Sequence, residues 1–379
     1  MNTAYPARIT QCRELAGLSK TELASQLNVS VAAVSQWENG SKNPTPDNLV
    51  ALSRHLRVPM PLLLTPVPTE LSSRGPITFR ARSSAKTAML RRQAESLAEL
   101  DAEAFLWMEK WVSLPNPSLP EILFKDPEES ANECRRFWGL GNRPIAKLGE
   151  LFESRGIRLC SAAFGDVRFD AFSCIVSGRP FVFLGNEKQD RARSRFDAAH
   201  ELGHLIMHQH FSQDELEAKK EETEKQANAF SSAFLMPRET FSCDIIDTSL
   251  DGFKRIKPKW GVSIQAMVRR AKDLGLLSEE TYQRHCISMG QQGWRRAKGE
   301  PLDDMVPTTN RSLVRKILNL LSNGDKIKPW EIPSELPLPD QVLESVFETN
   351  FKTLLPVELD NVIVRGVFSD PKDARPGHN

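Results

Sequence analysis

The chain has little that would carry it into or across a membrane. No apolar run approaches the roughly 20 residues that span a bilayer. The opening Met1-Asn-Thr-Ala-Tyr-Pro-Ala-Arg-Ile-Thr10 lacks the apolar stretch of a secretory signal, so a cytoplasmic location without membrane contact is expected. Cysteine is sparse and scattered (Cys12, Cys134, Cys160, Cys174, Cys243 and Cys286), with no C-x-x-C pair. That pattern speaks against a disulfide framework, a cysteine zinc cluster or a cysteine nucleophile, and for free thiols in a reducing compartment. Net charge is nearly absent as well: 50 Lys and Arg against 49 Asp and Glu leave +1, so any pull toward nucleic acid must be local. At 379 residues the chain exceeds what one core usually supports, and two or three domains are expected.

What the chain does have is the string His200-Glu-Leu-Gly-His204, set in Phe196-Asp-Ala-Ala-His-Glu-Leu-Gly-His-Leu-Ile-Met-His208, where apolar residues recur at helical spacing and proline is missing. Positions i and i+4 of a helix share a face, so His200 and His204 point the same way. Two imidazoles so placed suit two corners of a zinc tetrahedron, with Glu201 able to take a proton from a water in the fourth position. A third protein ligand is needed, and two candidates follow. Glu224 lies on a second amphipathic stretch with Ala227, Phe230, Ala233 and Phe234 at helical spacing and Pro237 as its stop. His210 occupies the last position of the longer H-E-x-x-H-x-x-G-x-x-H arrangement, but Met207 stands where that arrangement needs a glycine, and methionine resists positive φ. The chemistry favours Glu224, leaving His208 and His210 as polar residues at a helix end. Asn228, one turn beyond Glu224, is placed to hydrogen-bond a ligating histidine and fix its tautomer.

The run Arg195-Phe-Asp-Ala-Ala-His-Glu-Leu-Gly-His-Leu-Ile-Met-His208, followed by Glu224-x-x-Ala-Asn-x-Phe and Phe-Leu-Met-Pro237, resembles the ImmA/IrrE family of gluzincin-like metallo-endopeptidases. The resemblance implies zinc held by His200, His204 and Glu224, Glu201 as general base, and a partner repressor as substrate. Ser231-Ser232 departs from the alanine common after the phenylalanine, but small residues pack equally well there. No side chain declares itself as the donor that would stabilise an oxyanion.

A second signature lies at the N-terminus. A helix from Arg8 to Leu18 ends at Gly17; Ser19 caps 20–26 with Glu22 in the capping-box position; Ser30 caps 31–39, which Gly40 closes; Pro44-Thr-Pro46 precedes a helix from Asp47 to Leu56. The strings Ser-Lys-Thr-Glu-Leu-Ala and Ser-Gln-Trp-Glu-Asn-Gly resemble XRE-type, lambda-repressor-like helix-turn-helix domains. In such domains Val31, Ala32, Ala33 and Gln36 would face base edges of double-stranded DNA, Gln36 being suited to adenine and the apolar residues to thymine methyls. Lys20, Lys42 and Asn43 are candidates for phosphate contacts. A single module binds DNA weakly, so a homodimer is expected; a protein-docking role for these helices is the alternative.

These signatures predict a mostly α chain with a small α+β peptidase domain. Residues 1–66 are the five-helix-type DNA-binding domain and 67–115 a basic linker with a long helix. A gluzincin-like peptidase domain fills 116–290, and 291–379 form a small accessory domain for dimerisation or substrate capture, with a disordered tail from Asp370. The linker residues Arg74, Arg80, Arg82, Lys86, Arg91 and Arg92 have no acidic residue among them and read as a solvated connector or as a track along the DNA backbone. The helix from Lys86 to Trp111 has an apolar face for a core or a dimer seam. Strands are expected at 157–161, 171–176, 180–184 and 361–368, with a hairpin at Gly178 whose sheet offers a substrate peptide an edge. A capped helix from Ser263 to Gly275 looks like a second helix-turn-helix but is expected to pack. Three functions fit. The first is a regulator that cleaves a repressor or antitoxin under stress or phage signals, the second a transcription factor with a non-catalytic sensor domain, and the third a toxin–antitoxin component acting by binding.

Overall fold

The structure is a computed structural model that describes residues 3–71, 75, 77–79, 85–122, 126–161, 163–164, 167–168, 171–185, 191–294, 299–324, 326–351, 357–359 and 362–364. Five short helices open the chain: α1 (Pro6–Leu15), α2 (Lys20–Leu27), α3 (Val31–Glu38), α4 (Pro46–Leu56) and α5 (Met60–Leu63). A short strand, β1 (Thr78–Phe79), precedes the long helix α6 (Ala85–Glu109). Then come α7 (Pro127–Phe137), α8 (Leu148–Ser154), β2 (Arg158–Ser161), β3 (Ala163–Phe164), β4 (Val167–Arg168), β5 (Phe172–Val176) and β6 (Arg179–Leu184). The middle continues through α9 (Arg191–Met207), α10 (Gln213–Ala218), α11 (Lys220–Leu235), α12 (Arg238–Asp244), α13 (Leu250–Trp260), α14 (Ile264–Asp273) and α15 (Glu279–Gln291). Last are α16 (Leu313–Asn323), α17 (Ile332–Glu335), α18 (Asp340–Phe347), β7 (Val357–Leu359) and β8 (Val362–Val364).

The caps of the first domain follow from local chemistry. Ser19 Oγ accepts from Glu22 N while the Glu22 carboxylate accepts from Ser19 N, which satisfies two orphan amides of α2 at once. Ser30 does the same for Ala33 N on α3. Between the two helices Asn28 takes a left-handed conformation (φ 54°), which a short polar side chain tolerates. Leu23, Val34, Trp37, Leu52 and Leu63 fill the interior of this domain.

That interior is not sealed off from the rest of the chain. Its apolar cluster continues through Ala94, Leu97, Phe105 and Met108 of α6 into one face of the sheet and the C-terminal helices α16 and α18. The long helix is therefore a core spine, with Leu97, Leu100, Phe105, Trp107 and Met108 buried and Met89 and Trp111 left exposed. Polar contacts lock the same seam. Fully buried Arg8 of α1 donates to the carbonyls of Thr65 and Pro66, to Gln11 Oε1 and to Glu103 of α6. Gln93 of α6 donates to Leu15 O at the end of α1, beside Gly17, whose left-handed φ of 68° favours glycine and where a Cβ would lie 2.6 Å from the Gln93 amide and displace it.

The sheet runs β1-β5-β6-β2, with β6 and β2 parallel and the other pairs antiparallel. Alternate residues face opposite ways: Phe181 and Phe183 join the cluster of α6, while Val182 and Leu184 join a second cluster built on α7, α9, α11 and α14. Burial on both faces explains why β6 reads as an unbroken apolar run. Val314, Ile317 and Leu321 of α16 and Val342, Leu343, Val346 and Phe347 of α18 are buried in the cluster of α6 and the sheet, while Leu320 is exposed. Arg91 pairs with Glu217 and Arg92 with Glu14, whereas Arg74, Arg80 and Arg82, the Lys86 side chain and the tail from Asp370 lie outside the described residues. Of the strand expected at 361–368, Val362–Val364 is described and pairs with β7. Among the described residues no helix is long and apolar enough to cross a membrane.

Candidate metal centre

Helices α9 and α11 carry the histidines and Glu224, and their separation sets everything else. Gly203, between the two histidines, lets the helices close: a Cβ there would stand 3.1 Å from Phe230 Cδ1 and 3.3 Å from Ala227 Cα. Buried arginines pin both helices to the surrounding loops. Arg195 of α9 donates to the carbonyls of Ile145, Ala146 and Gly261. Arg135 and Arg270 donate to Phe234 O and Met236 O at the carboxyl end of α11, where helix carbonyls otherwise lack partners.

Within that frame His200 Nε2 lies 3.1 Å from His204 Nε2, and Glu224 places its two oxygens 3.5 Å from one imidazole each. Donor atoms bound at about 2.0–2.1 Å on a tetrahedral zinc would stand about 3.3–3.4 Å apart, so the spacing fits such an ion. Among the described residues this is the cluster of histidine, cysteine and carboxylate side chains close enough to share a metal. His210 lies exposed beyond the end of α9 and is not part of it.

Hydrogen bonds behind the rings agree with that reading. Asn228 Nδ2 donates to Glu224 O, which leaves Asn228 Oδ1 to accept from His200 Nδ1 at 3.2 Å. Gln226 Nε2 donates to Glu222, so its Oε1 accepts from His208 Nε2 at 2.9 Å, and His208 Nδ1 then accepts from His204 Nδ1 at 3.0 Å. Both imidazoles thus carry their protons on Nδ1 and turn bare Nε2 lone pairs toward each other and the Glu224 carboxylate. Electron pairs packed so closely are the surroundings of a cation. Burial, reinforced by neighbouring His204, pushes His208 down to about 4, so its ring is neutral.

His208 stands just past the end of α9, where a polar helix end is expected, and the structure adds that it is buried and links His204 to Gln226. The i, i+4 spacing of 200, 204 and 208 was a visible signal; the partner on another helix was not. Ser173 of β5 has no sequence signal at all. Its hydroxyl donates to Glu201 Oε2 at 2.7 Å and it lines one cavity with His204, so Glu201 is held at the ligand side of α9.

The residues expected to meet DNA sit together on the first domain. Val31 and Ala32 are exposed at the start of α3, Ala33 and Gln36 are half-buried, and Lys42 and Asn43 are exposed beyond its end. Lys20 differs, since its ammonium pairs with Glu38 at 3.3 Å.

Comparison with known families matches residues 9–63 to a helix-turn-helix model and residues 152–272 to the IrrE N-terminal-like domain, a peptidase family whose stretch here includes His200, Glu201, His204, Glu224 and Ser173. Curated proteins give no match. The chain thus carries a stretch that matches a helix-turn-helix domain and, downstream of it, one that matches the IrrE N-terminal-like domain of a peptidase family.

Proposed function

We propose that the chain is a DNA-binding regulator whose middle domain is a zinc-dependent endopeptidase acting on a partner protein, a repressor or an antitoxin. The observation that carries this reading is the spacing of His200 Nε2, His204 Nε2 and the Glu224 oxygens, 3.1 to 3.5 Å, with the imidazole protons drawn away behind the rings. His200, His204 and Glu224 would hold the ion; zinc, when bound, would supply Lewis-acid polarisation of a carbonyl and a more acidic water. Glu201 takes the proton of the attacking water and delivers it to the departing amine, while the Ser173 hydroxyl keeps its carboxylate in one rotamer. Asn228 and the His208–Gln226 pair keep the ligand histidines in the metal-binding tautomer. Water adds across the peptide C–N bond, and acid and amine ends result.

At the other end, α3 offers Val31, Ala32, Ala33 and Gln36 to the major groove and Lys42 and Asn43 to phosphates, with Lys20 restrained by its pairing. The test of the catalytic reading is Glu201→Gln. Elemental analysis should still find one zinc per chain, while cleavage of repressor or antitoxin proteins encoded beside the gene is lost. Full cleavage by that variant removes Glu201 from the chemistry; a parent that binds no zinc removes the metal.

A further inference from the structure

The linker between the two family domains does more than connect them. β1 lies on the outer edge of the sheet, antiparallel to β5, with Thr78 opposite Ser173 and Phe79 opposite Phe172. Upstream, Gly75 N donates to Ile175 O at 2.8 Å, and Ile77 N donates to the Gln213 side chain of α10 at 3.2 Å. Ile77 is 2% exposed. Gly75 lines a cavity with Ser173, His204 and His208, and Ile77 lines a neighbouring cleft with His204, Gln213 and Glu224. At Gly75 and from Ile77 to Phe79 the chain's own backbone therefore lies between the sheet edge and the helices that carry the metal ligands, opposite the serine that holds Glu201. An extended strand added to a sheet edge is a common way for a protein to hold a peptide, and an edge already paired takes no second strand.

We propose that this linker strand occupies the substrate groove as an internal peptide, so that the peptidase is latent until a partner's extended segment displaces it from β5. The inference rests on the peptidase reading above and adds its regulation. Both flanks of the strand are tied to the body that carries the DNA-binding domain: Leu71 is buried in the cluster of α1 and α6, and α6 follows the strand.

The experiment uses the full chain loaded with zinc. One variant combines Gly75→Pro, which removes the amide that Ile175 O accepts, with Ile77→Asp, which makes the buried position charged. A second replaces residues 75–79 with alternating glycine and serine, in case the first fails to fold. Three quantities are read: the rate at which 1,10-phenanthroline strips zinc, the hydrolysis of fluorescein-labelled casein, and the intact mass. If the groove is open only about a tenth of the time in the parent, both rates rise roughly tenfold in the variants. Casein cut equally fast by parent and variants overturns the inference and leaves the peptidase reading standing. Faster zinc loss with neither casein nor the repressor or antitoxin encoded beside the gene cut by any protein supports the covering strand and sinks the peptidase reading instead. Zinc loss at the parental rate in folded variants overturns it. So does a parent mass showing a cut between residues 71 and 85, because the strand is then a substrate.

Discussion

Gly203→Ala tests whether the closeness of α9 and α11 is what builds the metal centre. The added methyl would meet Phe230 Cδ1 at 3.1 Å and Ala227 Cα at 3.3 Å, whereas carbon atoms rest at about 3.5–4.0 Å. The helices must part by roughly 0.3–0.5 Å on that comparison. Overpacking of this kind costs about 1–3 kcal/mol, and alanine returns nearly 1 kcal/mol through its helix propensity, so the metal-free protein should lose at most about 2 kcal/mol. Zinc is less forgiving. His200 and His204 ride on α9 and Glu224 on α11, and ligand distances tolerate only about ±0.2 Å. Zinc affinity should therefore fall about tenfold, or 1.4 kcal/mol. A competition titration against a chromogenic chelator measures this, alongside urea melts of the metal-free protein. Gly290→Ala on α15 is the control, since a Cβ there meets nothing within 4 Å; it should gain stability and leave zinc untouched. Parental zinc affinity in Gly203→Ala would refute the packing argument.

Three further outcomes follow from buried polar groups. His208→Phe takes the acceptor away from His204 Nδ1 and should weaken zinc binding about 10–100-fold, with His208→Gln recovering part of it; equal affinity in all three proteins speaks against the relay. Asp101 of α6 is fully buried, and burial pushes it up to about 7 against the pull of a hydrogen bond from the Cys160 thiol and of Arg311. Because the folded state holds that proton more tightly than the unfolded chain, its contribution is fully present below about pH 4 and is lost as pH rises through about 7. Asp101→Asn should therefore gain on the parent between pH 5 and 8 in urea melts, by at most about 4 kcal/mol; a gap independent of pH contradicts this. Arg8→Met leaves the half-buried end of Glu103 without its partner and frees the carbonyls of Thr65 and Pro66, so global stability should drop about 3–5 kcal/mol. A loss below 1 kcal/mol in the same melts would mean the seam between α1 and α6 is held by its apolar contacts alone.

Much of this molecule is written locally. Ser19, Ser30 and Ser263 cap the helices they precede, and the left-handed Gly275 closes the segment that Ser263 opens, because a cap is a hydrogen bond between residues three positions apart. Short β-rich runs on either side of the Gly178 turn mark the hairpin of β5 and β6, and helical spacing marks α9 and α11. The pairing of Glu224 with the two histidines was legible too, through residue types and order. The linker was not. It reads as a basic, solvated connector, yet Thr78 and Phe79 pair with β5, since a two-residue edge strand has no periodicity to detect.

Residue order alone decided which side chains the chain would present: two imidazoles on one helical face, a carboxylate on another helix, two serine-capped helices at the start. Only the folded arrangement decided what stands behind and across from them. Ser173 reaches Glu201 across 28 positions, Gln226 reaches His208 across 18, and Gly75 reaches Ile175 across 100. Such contacts depend on how helices and strands come to rest against one another, and each partner is an ordinary residue in its own neighbourhood. Local patterns record the periodicity of one element; the distance between elements is set by everything packed around them.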